Sequence, residues 1–319
     1  MSPAVIRVWY FMLANLLFKY MMQAIFVFML MFRAINSASA QDLEPRRWSQ
    51  MPSGLNFAGI GYGYIDGDIF FDPVLLIEDA SFDMHAVSIG YVRSFGLFGK
   101  SARVDFTLPY RAGRWQGTVD DEFVDFRRHG LGDARVRFSS LLYGSPAQSM
   151  QEFLKSEKSR TVVGVAVAVT MPTGKYNEDR LINLGNNRWV IRPQAGVTHT
   201  RGKWTSELTG SVFIYTDNND FWKNTELETD PLLALQIHMI YTFRPGLWTS
   251  ISTGYGWGGE ATVNGDAKNN PSGNWLSAFS VGLPIDRRQG VKMTLLSGRS
   301  QKMTGADIDS VVFAYSLQF

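Results

Sequence analysis

From residue 54 onward the chain repeatedly alternates apolar and polar positions with a period of two. That is the pattern of strands with two unlike faces. Twelve such segments can be read, over residues 54–65, 84–95, 100–111, 131–143, 160–171, 188–200, 203–216, 232–243, 247–258, 274–284, 290–299 and 308–319. The gaps between them alternate in length. Gly96–Gly99, Arg201-Gly202, Arg244–Gly246 and Ile285–Gln289 are short. Asp66–Asp83, Ala112–Gly130, Pro172–Asn187, Asp217–Pro231, Gly259–Gly273 and Ser300–Asp307 are long. Short turns at one end and long loops at the other predict an all-β, antiparallel, up-and-down barrel of about 12 strands, or 10 or 14 if a hairpin is misread. Gly144–Ser159 breaks the rule, being long where a short turn is expected; Met150, Phe153 and Leu154 there predict one face of a short helix packed under the barrel. A soluble β-sandwich shares the alternation.

The two ends of the chain separate these readings. In the last nine residues Val311, Phe313, Tyr315, Leu317 and Phe319 share one face, and Val312, Ala314, Ser316 and Gln318 share the other. A closing strand that runs to a terminal aromatic residue is the insertion signal of outer-membrane barrels, read by the barrel-assembly machinery; an ordinary edge strand is the alternative. Residues 1–40 hold no Asp or Glu, carry Arg7, Lys19 and Arg33, and contain apolar runs at Val8–Phe18 and Ala24–Phe32 before Ala38-Ser39-Ala40. This predicts a signal peptide over 1–40 cleaved near Ala40, with a barrel domain over 41–319 in the bacterial outer membrane. A start at Met21 or Met22 gives the peptide an ordinary length. A retained anchor is the alternative, although neither run reaches the roughly 20 apolar residues of a helical span.

Alternation also divides the wall. Ala102, Val104, Phe106, Leu108 and Tyr110 are expected to face lipid, as are Val136, Phe138 and Leu142, and Val163, Val165, Val167, Val169 and Met171. The charges fall on the other face, because a charge in lipid near the midplane costs about 2–4 kcal/mol. The expected lumen and constriction residues are Arg103, Asp105, Arg111, Asp133, Arg135, Arg137, Arg192, Glu207, His238 and Lys292. Elsewhere the inner wall is small: Ala86, Ser88, Gly90, Gly164, Ala166, Ser250, Ser252, Gly254, Ala278, Ser280 and Gly282. One charged wall and one small wall predict a narrow aqueous path. The competing reading is a filled barrel in which the buried charges pair with one another. Aromatic girdles are expected from Trp204, Trp248, Phe243, Phe95 and Phe319 at the short-turn end, and from Tyr62, Tyr64, Trp189, Tyr255, Trp257 and Trp275 at the other.

Composition narrows the chemistry. Lys and Arg total 31 against 29 Asp and Glu, with three of the basic residues in the leader, so the barrel domain is near neutral and has no basic tract for nucleic acid. With no cysteine, disulfides, thiolate catalysis and Cys-based metal sites are excluded. Thirty glycines, 22 Phe, 12 Tyr and 9 Trp suit strands and membrane interfaces. None of His85, His129, His199 and His238 lies in a His-x-Ser arrangement. His129 near Asp120, Asp121 and Asp125 is a faint protease-like candidate, so the chain is not expected to be an enzyme and no cofactor is expected. Asp217-Asn218-Asn219-Asp220 has oxygen ligands for a hard cation but lacks the glycine and closing Glu of an EF-hand, which favours an Asx-rich turn.

Six stretches resemble the outer-membrane barrel family named for a meta-pathway of phenol degradation. They are Gly113–Val119, Arg128–Arg137, Leu142–Ala147, Met171–Tyr176, Asn183–Trp189 and Thr216–Phe221. The resemblance implies a transporter-type barrel passing small aromatic or hydrophobic compounds, with no substrate site to carry over. The expected partners are outer-membrane lipid, the assembly machinery and a small permeant, around a monomer. A closed structural or adhesive barrel, and a barrel hydrolase, are the alternatives.

Overall fold

The computed structural model describes residues 43–71 and 77–319. The predicted signal peptide and its cleavage near Ala40 lie outside the described residues. The strands are β1 (Asn56–Phe70), β2 (Ile77–Leu97), β3 (Lys100–Val119), β4 (Glu122–Leu131), β5 (Arg135–Tyr143), β6 (Thr161–Thr170), β7 (Val190–Arg201), β8 (Trp204–Tyr215), β9 (Asn218–Phe221) and β10 (Thr225–Thr229). They continue with β11 (Leu232–Arg244), β12 (Leu247–Gly258), β13 (Ala261–Val263), β14 (Asp266–Ala267), β15 (Ser272–Pro284), β16 (Gln289–Ser300) and β17 (Gly305–Gln318). One helix, α1 (Met150–Lys155), lies between β5 and β6.

Thirteen strands form one sheet, in the order β2-β1-β17-β16-β15-β12-β11-β8-β7-β6-β5-β3-β4, and β2 also pairs with β3. That last pairing closes 12 antiparallel strands into a cylinder. Closure joins the first strand to the last in unbroken register from Phe57↔Gln318 to Phe70↔Gly305. Within the closed ring of 12 strands no edge is left free, as a lipid-embedded sheet requires, and β4, paired with β3 alone, lies outside that ring. Outward positions such as Ile60, Ile89, Val165, Leu235, Ile251 and Phe313 are exposed and apolar. The alternate positions, inward, are polar or small and are buried over much of the wall.

The departures from expectation have physical reasons. Strands β1, β2 and β3 run on past the apolar band, so most of the stretch read as an Asp66–Asp83 loop is ladder; Asp66 pairs with Asp83 and Asp68 with Ser81. Alternation of apolar residues marks only the part of a strand that must meet lipid. The strand expected at 131–143 starts only at Arg135, as β5, and the stretch expected as an Ala112–Gly130 loop carries the end of β3 and nearly all of β4. β4 pairs with the far half of β3, from Tyr110↔Leu131 to Val119↔Glu122. β5 then takes over the near half, from Ala102↔Ser140 to Thr107↔Arg135. The loops at 217–231 and 259–273 contribute β9, β10, β13 and β14 to a separate four-stranded sheet. α1 forms where a helix was expected, with a Ser149–Glu152 capping box, but buries nothing. Leu154 is 76% exposed, so no apolar face packs under the barrel.

Candidate functional site

The inner face of the barrel is occupied by the chain's own residues 43–55. β1 starts at the short-turn end, where the Phe319 amide donates to the Asn56 carbonyl. The preceding residues are tied to the inner ends of β2 and β3. Gly54 N–H donates to Ser94 C=O, Ser94 N–H donates to Leu55 C=O, and the buried Ser94 hydroxyl donates to Pro52 C=O at 2.7 Å. From there the segment rises into the lumen and turns at Pro45–Trp48, where Ser49 N–H donates to the Arg46 carbonyl and Arg46 takes a φ of 67°.

Trp48 anchors it. The side chain is wholly buried against Leu141, Val162 and Ala166, and its indole N–H donates to Thr209 Oγ1 at 2.8 Å. The room for it comes from Gly164 and Gly196, where any Cβ would overlap the indole ring. Leu43 packs in the same way on Leu276, Ala278 and Leu296.

Charge holds the rest. Arg47 donates from Nη1 to Asp105 Oδ2 at 2.8 Å and from Nη2 to Ser139, while its backbone N–H donates to Glu207 Oε1 at 3.1 Å. Asp105 also accepts from Arg137 Nε at 3.2 Å and lies 3.3 Å from Arg103 Nε. Arg137 clamps the Glu44 carboxylate with both terminal nitrogens, at 2.8 and 2.7 Å, and Arg135 stands 3.8 Å away. Two-pronged pairing of this kind fixes geometry as well as charge. Burial of Glu44 opposes ionisation, but the guanidiniums of Arg137 and Arg135 outweigh it and hold the carboxyl well below its usual range. Arg46 lies over the Trp248 ring, 5.4 Å from its centroid.

The expected lumen residues therefore divide. Arg103, Asp105, Arg135, Arg137 and Glu207 converge on residues 43–48. Arg192 is buried beside them, bonded to Ser211 and 4.4 Å from the Phe213 ring. His238 stands opposite Glu207 in the ladder, its Nδ1 2.8 Å from Ser252 Oγ. Lys292 is separate, half-buried on the inner face of β16. Two residues do something else. Asp133 is not on a strand; its oxygens accept from the backbone amides of Gly174 and Asn186, both at 2.9 Å, and so latch the 171–189 loop. Arg111 donates to the carbonyl of Leu184 in the same loop. Trp248 points inward under Arg46 rather than joining a girdle, because it shares the parity of Ser250 and Ser252.

Residues 43–55 do not cover the whole wall. Inward positions on β6–β8, β11, β12 and β15 are buried, including Ala166, Thr209, His238, Ser252 and Ala278 at 4% exposure or less. On β1, β2 and β17 the inward residues Gly59, Gly61, Ser88, Gly90, Ala314 and Ser316 are half-buried or exposed, while Gly63 and Ser94 on the same face are buried. The more open side of the lumen is thus lined mainly by glycine, alanine and serine.

The outlying candidates have partners of another kind. His129 Nδ1 lies 3.0 Å from the Tyr110 hydroxyl on the outer face, and Asp125 is paired with Arg114. The Asn218 side chain accepts from Asn187 and from the Asp220 amide and donates to Tyr176, forming an Asx turn rather than offering its oxygen to an ion. Sequence reasoning gave residues 43–53 no role and read residues 54 and 55 as the start of the first strand. The available signal was a Trp and a Leu among charges in a stretch with no strand period, just after the leader.

A family model described as "Putative MetA-pathway of phenol degradation" matches residues 70–287. Among solved structures the chain is similar to the COG4313 outer membrane channel from Pseudomonas putida F1, with a TM-score of 0.74 and 22% identity over 87% of this chain and 100% of that one. It is also similar to the transport unit of the autotransporter AIDA-I from Escherichia coli (TM-score 0.51, 9% identity, 88% and 93% covered). A third similar structure is the β domain of the Bordetella autotransporter Brka (TM-score 0.50, 9% identity, 83% and 99% covered). No curated protein sequence matches.

Proposed function

The chain belongs to the family described as "Putative MetA-pathway of phenol degradation", and we propose that this barrel is a passive outer-membrane channel for small solutes, aromatic or hydrophobic ones among them. The observation that carries this reading is the division of the lumen. Residues 43–55 fill one side, and the Gly59, Gly61, Ser88 and Gly90 side remains accessible. On this reading the short turns face the periplasm, the leader directs export, the closing strand is read by the assembly machinery, and the monomer is the working unit. Arg103, Arg135 and Arg137 act twice, lining the constriction and holding the segment through Glu44 and Asp105. A residual cationic character beside a glycine wall suits anions and the polar edges of aromatic rings.

Liposome swelling tests it. Reconstituted wild type is expected to admit small solutes slowly. Arg135→Ala with Arg137→Ala is expected to change the order of solute rates, and Trp48→Ala to raise all of them. Absence of swelling with any solute in all three proteins would defeat the channel reading. It would support a second one, a closed structural barrel, which the ion-paired fit of residues 43–48 favours.

A further inference from the structure

We infer that the outer wall of the barrel carries a binding site for one anionic phospholipid of the periplasmic leaflet, at the end of the β7–β8 hairpin. The inference rests on the orientation adopted above, with short turns in the periplasm. A groove of about 460 Å³ lies there on the outward face, lined by His199, Arg201, Trp204, Ser206 and Met239. The ladder arranges its wall in ordered rows. At the rim Arg201 pairs with Trp204, and Trp204 with Tyr241, the two rings meeting edge-on at 4.8 Å. One step toward the midplane is a polar row, His199 beside Ser206 beside Met239, with the Thr161 hydroxyl 2.9 Å from His199 Nδ1. The next row is Val197, Leu208 and Ile237, fully apolar.

That sequence, from cation and aromatic through hydroxyl and imidazole to hydrocarbon, matches a phospholipid read from phosphate through ester to acyl chain. Among the described residues Arg201 enters no ion pair, and neither do the adjacent Lys203 and His199. On the adopted orientation the charges of Arg201 and Lys203 are unspent at the end of the wall where lipid phosphates would lie.

A second observation fits the acyl chain. The strand glycines at 59, 61, 90, 164 and 196 face inward, but Gly210 faces outward, in ladder contact with Ala195 and Leu235. A Cβ built at Gly210 meets nothing within 4 Å. Gly210 and Ala195 therefore leave a slot that continues the groove from the apolar row toward the midplane.

The test is native mass spectrometry of the detergent-purified full-length barrel with palmitoyl-oleoyl phosphatidylglycerol or phosphatidylcholine added. Wild type is expected to retain one phosphatidylglycerol in preference to phosphatidylcholine. Arg201→Glu is expected to weaken phosphatidylglycerol retention by at least about fivefold, the share of one cation near a lipid surface, with little effect on phosphatidylcholine. Gly210→Leu fills the slot without touching charge and is expected to weaken both. Heat-modifiable gel mobility confirms that each variant is folded. Equal retention of the two lipids by wild type, or phosphatidylglycerol retention unaltered in Arg201→Glu or in Gly210→Leu, overturns the site. Swelling assays on the same variants keep the two proposals apart. A wild type that prefers phosphatidylglycerol yet passes no solute sinks the channel and leaves the lipid site standing.

Discussion

At the scale of single residues, the fit of Trp48 into the wall is reciprocal: the indole occupies space that two glycines vacate. Trp48→Ala deletes a fully buried aromatic side chain and its bond to Thr209, which should cost about 3–5 kcal/mol locally. Gly196→Val should cost about 1–3 kcal/mol by overpacking, since the new atoms fall on the ring. The two changes share one volume, so they should not add. The double variant should be less destabilised than the sum of the singles by more than the roughly 0.5 kcal/mol within which independent sites add. Urea midpoints of the four proteins in detergent measure this directly. A sum that closes additively would mean that Trp48 does not sit against Gly196.

At the scale of the element, residues 43–55 behave as a strap held by charge at its tip and by backbone bonds at its root. The pH dependence follows from Glu44. Its folded-state carboxyl is held below the ordinary value of 4.5, chiefly against burial and by Arg137 and Arg135. A depressed acid contributes stability that is present above its unfolded value and is lost as pH falls through the folded one. Swelling rates should therefore stay flat from neutrality down to the ordinary glutamate range, and rise only in stronger acid. Glu44→Gln should remove that acid limb and raise the rate at neutral pH, because Arg137 is left without half of its anionic partners. A rate that rises between pH 7 and 5 in wild type would contradict the assignment. The strap also marks where the sequence stopped being readable. The wall was legible because lipid on one side and the lumen on the other impose a period of two on residues such as Val163–Met171. Nothing local imposes a pattern on residues 43–48, whose partners are Asp105, Ser139 and Glu207, far away along the chain. The β4 strand was missed for a related reason: Arg127, Arg128 and Asp125 read as loop, because a strand that pairs beyond the bilayer need not be apolar on either face. Asp133 was expected on the lumen wall, but it is off the strands, and its bonds run to amides at 174 and 186 that no spacing rule connects to it.

At the scale of the whole molecule, the ring closes only when β17 finds β1, the first and last strands of the barrel. Those pairings have the largest sequence separation in the fold, so they carry the largest loop-closure cost and are expected to form late. Phe319 adds little to the finished wall. It is 62% exposed, and its backbone N–H, not its ring, bonds to Asn56. Its ring is thus better placed to be read before closure than to stabilise the barrel after it. Phe319→Ala should lower the fraction of protein recovered from membranes as a compact, heat-modifiable species. The molecules that do close should unfold at the wild-type temperature in detergent. Tyr315→Ala is the contrasting case, since its hydroxyl donates to Gln289 on β16 at 2.6 Å and its loss should lower the unfolding temperature as well. If both variants lose yield and stability together, the terminal aromatic is an ordinary part of the wall. If neither lane shifts on boiling, even for wild type, the strands are not sealed into a cylinder.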